Sequence, residues 1–163
     1  MTTVNREWLE SVWAAGAAGQ RPEWADVEWY ALDETGAVGM FCSGGPGPIP
    51  RAVFRDLDTH IVLVDYLHNL PVRGQHDLLI EYPRVIDYTH AADRGLFAFN
   101  YEDDGPAVAG YGLVAHPADP LPLDTLPGWA RDWLEGLRIP GAVFANLTTA
   151  VVDLSGAPSG LVW

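Results

Sequence analysis

The chain has 163 residues, 48% of them apolar, with nine basic and 22 acidic side chains and a formal net charge of −13. That size suits one domain over residues 1–163, with a core large enough to need neither a disulfide nor a structural metal. Cys42 is the sole cysteine, and every basic residue is an arginine, scattered along the chain, which excludes an intrachain disulfide and leaves no cationic cluster to neutralise a nucleic-acid backbone.

In chain order, Asn5 is a helix cap, and Trp8, Leu9, Val12 and Trp13 fall on one stripe of a first helix that fades at Gly16 and Gly19. Val27–Leu32 and Ala37–Cys42 predict a hairpin turning on Asp33-Glu34-Thr35-Gly36. A Gly/Pro stretch, Ser43 to Pro50, leads to a helix opening at Pro50, with Phe54, Leu57, Ile61, Val64 and Leu67 at helical spacing as far as Asn69-Leu70-Pro71. Pro83 opens another helix with Val85, Ile86 and Thr89 facing inward and Gly95 as its stop. Leu96–Tyr101 and Ala107–Ala115 predict a second hairpin around Glu102-Asp103-Asp104-Gly105-Pro106. A Pro-rich connection from His116 to Pro122 precedes a helix over Asp124–Leu137 carrying Trp129 and Trp133, and strands are predicted at Val143–Phe144 and Thr149–Leu154. Hairpins separated by helices predict an α+β fold: an antiparallel sheet built from the two hairpins plus C-terminal strands, with helices packed on one face.

The longest apolar runs, such as Ile61–Val64, fall far short of the ~20 residues of a membrane span. Met1-Thr2-Thr3-Val4 carries no signal-peptide pattern, so the expected location is the cytoplasm. The lysine-free sequence, rich in Ala, Gly and Pro, points to a bacterial coding sequence of high GC content.

The loop Ser43-Gly44-Gly45-Pro46-Gly47-Pro48 before a helix invites a phosphate-loop reading. Pro46, Pro48 and Pro50 remove backbone donors, however, and no Gly-Lys-Ser/Thr follows, so a stiff connection or a rigid recognition loop fits better. Among the five histidines, His60 and His68 sit about 80° apart around their helix and about 12 Å apart along it, too far to share a metal unaided. Asp65/His68 and Asp87/His90 are i, i+3 pairs. Either could orient an imidazole as a base or ligand, although a surface hydrogen bond is the commoner outcome. No zinc spacing, EF-hand or G-x-S-x-G pattern occurs, so no metal, cofactor or catalytic residue is assigned. Cys42 alternates with Val38 and Met40, which predicts a thiol turned into the core and inert.

The run Leu32-Asp33-x-x-Gly36-x-Val38-Gly39-x-Phe41, then Gly44-Gly45 and Pro48-x-Pro50, resembles a pattern of small bacterial proteins, some of them immunity proteins of polymorphic toxin systems. The later Pro120-Leu121-Pro122-Leu123-x-x-Leu126-Pro127 is similar in the same sense. The resemblance implies a non-enzymatic protein-binding role and carries no catalytic residues. With the strong acidity, it sets the leading expectation: a cytoplasmic binding module whose partner is a basic protein, such as a toxin. The contacts expected for that partner are Trp24 and the loop Gly44, Gly45, Pro46, Gly47 and Pro48. The alternative is a small enzyme or small-molecule binder with a sheet/helix pocket built from Asp65, His68, Asp87 and His90.

Overall fold

The computed structural model describes residues 5–20, 25–80, 85–102, 110–147 and 151–162. Asn5 accepts a hydrogen bond from the Glu7 amide and caps α1 (Arg6–Ala17). Val12 and Trp13 of the expected stripe are buried, whereas Trp8 stays 43% exposed. Gly16 lies within this helix, and the Phe54 ring rests on it, where a Cβ would come within 2.3 Å of the ring.

β1 (Glu28–Leu32) and β2 (Val38–Cys42) form the expected hairpin. Its turn is organised by the buried Asp33. One carboxylate oxygen accepts from the Thr35 amide, the Thr35 hydroxyl and the Ala37 amide, and the other accepts from the Phe144 amide at 2.8 Å. Gly36, at φ +91°, supplies the left-handed position that closes the turn. Asp33 therefore ties the first hairpin to a segment more than a hundred residues later.

The single helix expected from Pro50 is divided. The short strand β3 (Ile49–Pro50) runs into a 3-10 turn (Arg51–Arg55), and Asp56 then caps α2 (Leu57–His68) by accepting from the Asp58 and Thr59 amides. The break rotates the helix, so its buried residues are His60, Leu63 and Leu67, while Ile61 is exposed. β4 (His76–Leu78), which no apolar alternation announces, pairs antiparallel with β6 (Gly110–Pro117). α3 (Ile86–Asp93) buries Ala91 and Ala92 rather than Ile86, which is 72% exposed, and stops before Gly95 as expected. Pro83, its expected opening residue, lies outside the described residues.

β5 (Phe97–Glu102) and β6 pair antiparallel as expected for the second hairpin; past Glu102, the connection expected at Glu102-Asp103-Asp104-Gly105-Pro106 falls in residues 103–109, outside the described residues. Sheet order is β1-β2-β5-β6-β4, so the two hairpins meet through β2 and β5, which are parallel. The chain reaches that parallel position by passing through α2 and α3 between the strands. The C-terminal expectations need correction. Val143–Phe144 leads into a 3-10 turn at Phe144–Asn146; the start of the expected strand Thr149–Leu154 lies outside the described residues, and its Val151 makes an isolated bridge to Gly112. The last strand, β7 (Leu161–Val162), joins β3 in a separate two-stranded ribbon rather than the main sheet. α4 (Gly128–Glu135), shorter than the expected Asp124–Leu137, is preceded by a 3-10 turn at Leu123–Thr125. The fold is α+β: among the described residues, four helices, a mostly antiparallel five-stranded sheet and a two-stranded one.

Both sheet faces are covered. On one, Trp29, Phe41 and Phe99 stack in register across β1, β2 and β5, with centroids 4.2 and 4.6 Å apart, and Phe144 meets Phe41 and Phe99 edge-on. On the other, Tyr30, Met40 and Ala98 are buried in register, and α2 and α3 place His68 beside Glu28 and Tyr88 beside Asn100. β2 is thus buried on both faces from Val38 to Phe41.

Candidate functional site

Pairing register sets Glu28, Cys42 and Asn100 side by side across β1, β2 and β5. This polar row lies at one end of the helix-covered face. His68, the last residue of α2, reaches Glu28 with Nε2 2.6 Å from Oε1, and the Tyr30 hydroxyl donates to the same oxygen. Oε2 has no hydrogen-bond partner among the described residues. Burial opposes ionisation of Glu28. The His68 bond and charge, with the Tyr30 bond, outweigh it and hold the carboxylate below its ordinary pKa. The same bond to Glu28 raises the His68 pKa against the opposing effect of burial. On α3, Tyr88 donates to Asn100 Oδ1 at 2.9 Å and also bonds Cys42, while the His90 ring meets the His68 carbonyl at 3.1 Å.

Beside the row opens a groove of about 620 Å³. Leu9, Val12, Val27, Leu57, Ile61 and Val64 make its walls apolar, with Trp8 and Trp13 from α1. Its polar lining is Asp26, Glu28, Asp65, Arg6, His60 and His68. Arg6 is already engaged by Glu10 and Asp58, at 2.9 and 2.6 Å, so the groove presents net negative charge. His60 is buried against the Trp13 ring and bonds the Glu28 backbone. Burial pushes its pKa down to about 4, so it is neutral near pH 7. Trp13 keeps its buried indole Nε1 without an acceptor among the described residues.

The structure brings together part of what the sequence proposed. Asp65 and His68 both line the groove, but they do not bond each other: Asp65 accepts from the Asn69 side chain and His68 turns to Glu28. Asp87 acts on His68 only through its charge, and His90 bonds the His68 backbone rather than Asp87. Glu28, the centre of the cluster, escaped sequence reasoning. Its signal is an acid between Val27 and Trp29 at the start of an otherwise apolar strand.

The recognition loop divides. Gly44 and Pro46 are exposed and Gly45 is half-buried, whereas Gly47 and Pro48 are buried. A Cβ on Gly47 would meet the Ser43 carbonyl at 2.6 Å and the Tyr111 hydroxyl at 2.7 Å, and that hydroxyl donates to the Pro48 carbonyl. Asp26 links this loop to the groove by accepting from the Gly44 amide. Trp24 lies outside the described residues.

Cys42 is partly buried and packs against the core. Burial, with the charges of Glu28 and Asp26, pushes its thiol pKa up, the opposite of what a nucleophile needs. Among the described residues no three His, Cys, Asp or Glu side chains gather as a metal site, and no helix is long and apolar enough to cross a membrane. Compared with known protein families, curated proteins and solved structures, the chain matches none.

Proposed function

We propose that this protein is a non-enzymatic, cytoplasmic binding module of the immunity type, and that the α1/α2 groove receives an apolar, basic segment of a protein partner such as a toxin. The observation that carries the reading is the groove itself: apolar walls, two tryptophans, and carboxylates with no uncommitted cation among the described residues to answer them. A groove between two helices suits an amphipathic segment with apolar anchors on one face, and the net charge of −13 favours a basic one. Exposed Trp8 and Ile61 offer contact area of the kind that anchors interfaces.

The test is capture of a partner by the wild-type protein and by Val64→Asp, which places a charge in the groove wall. The reading expects a basic protein that binds the first and not the second, with both variants folded. A partner that binds both equally sets the groove aside.

A second reading, a small enzyme or small-molecule binder, is favoured by the short Glu28–His68 contact beside the same groove. It expects turnover, or tight binding of a small molecule, that disappears in His68→Gln.

A further inference from the structure

We propose that Glu28 Oε2, which takes no bond from a described residue, receives one lysine or arginine side chain of the segment that fills the groove, and that His68 competes with this cation for the carboxylate. The inference rests on the groove being a docking site for a protein segment, and it assigns the head group that the groove selects.

Glu28 Oε1 is occupied by His68 and Tyr30, while Oε2 takes no bond from any described residue. Glu28 lines the groove together with the apolar Val27, Leu57, Ile61 and Val64. Lysine and arginine carry apolar stems that cover such walls while their charged heads stay at a polar group. A neutral apolar side chain would cover a half-buried carboxylate and leave its second oxygen unpaired, which is unfavourable. An anionic one would meet Glu28, Asp26 and Asp65 together. A cation is the head group that satisfies the oxygen.

Competition follows from charge. With His68 protonated, the Glu28–His68 pair is neutral overall and attracts a ligand cation weakly. With His68 neutral, the pair carries a net negative charge. The other groups that act on this pair are Tyr30 from β1, His60 from α2, and Asp87 and Arg94 in and just after α3. His90 meets the His68 backbone, Asp26 lines the same groove, and Cys42 neighbours Glu28 from β2. His60 is neutral near pH 7, so the proton on His68 is the switch that sets the charge of the pair. Its bond to Glu28 places that switch above the ordinary histidine value. Binding of a cation should therefore tighten as pH rises through the neutral range.

The experiment compares hexylammonium with hexanol, which share an apolar tail, by NMR titration of the full chain between pH 6 and 8.5. Hexylammonium is expected to bind more tightly, on the order of tenfold at the alkaline end, as suits a charge-assisted hydrogen bond. The preference should shrink toward pH 6, while hexanol binding stays flat. Glu28→Gln should abolish the preference and retain hexanol. His68→Gln, which leaves the carboxylate in place, should keep the preference and remove its pH dependence. Equal binding of the two probes at every pH would overturn the inference while leaving the groove a docking site. Failure of both probes to bind overturns it as well, and the partner-capture result then decides the groove separately.

Discussion

His60 shows how one side chain sets the response of the whole protein to acid. It is 6% exposed, stacks on Trp13 and has its pKa pushed down by burial to about 4. The unfolded chain binds this proton near pH 6.5, so between pH 6.5 and 4 it binds more protons than the native state does. Stability should therefore fall as pH drops through that window, by at most about 3 kcal/mol from this group. Of the Glu28–His68 pair, His68 acts in the opposite sense and Glu28 in the same sense. The raised His68 pKa contributes stability below pH 6.5 that is lost as pH rises through the folded value, and the lowered Glu28 pKa contributes stability lost only at lower pH. Urea titrations across pH should show the acid slope in the wild type and a flatter one in His60→Gln, which keeps a donor for the Glu28 backbone; identical slopes would refute the assignment. Cys42 gives a second check: a thiol reagent should label it far more slowly in the native protein than in denaturant, because burial and nearby carboxylates suppress the thiolate. At this scale the sequence was a partial guide. His60 counted only as one member of a distant pair, because its burial depends on Trp13 of another helix. Glu28 went unseen because its partner His68 comes forty residues later and its neighbour Cys42 is set by strand pairing.

Among the elements, the first hairpin was the most legible, because its turn chemistry is local: Asp33 and Gly36 close it using groups within four residues. Local signals also located α1 and the stop of α3 at Gly95. The features that escaped are settled at a distance. β4 exists because β6 offers it an edge, and the split of the second helix at Asp56 turns Ile61 outward, against the stripe read from spacing alone. The alternation that placed Cys42 inward also assumed one buried face, whereas β2 is buried on both. Packing at this scale is tested at two glycines. A Cβ on Gly39 would lie 2.8 Å from both the Phe144 and Phe41 rings, at the centre of the aromatic stack. Gly39→Ala should cost about 1–3 kcal/mol in a denaturation experiment, since rings held on several sides have nowhere to move. Gly16→Ala confronts Phe54, whose ring also leans on Trp13, so the change should displace α1 and weaken ligand binding in the groove it walls. A Gly16→Ala variant with unaltered stability and unaltered probe binding would show that α1 is not held by that contact.

For the molecule as a whole, two features act at different ranges. Charge would act first: −13 over one small domain would attract the proposed basic partner from beyond contact, and at physiological ionic strength such attraction is screened over about 8 Å. The groove would act last, when apolar surface from α1 and α2 meets the proposed partner segment. These ranges separate in kinetics. Raising salt should slow association while changing dissociation little, because the long-range field sets the encounter and short-range packing sets the lifetime. Trp8→Ala should do the reverse. Trp8 is neutral, half-exposed and part of the groove wall, so its loss should leave association and its salt slope intact and raise the dissociation rate. A desolvated aromatic anchor contributes about 2 kcal/mol or more, which corresponds to roughly thirtyfold in that rate. Trp24, the aromatic first expected at the interface, should be tested beside it by the same measurement. If Trp24→Ala raises the dissociation rate and Trp8→Ala does not, the contact lies at the segment before β1 rather than in the groove, and the partner is held elsewhere than proposed.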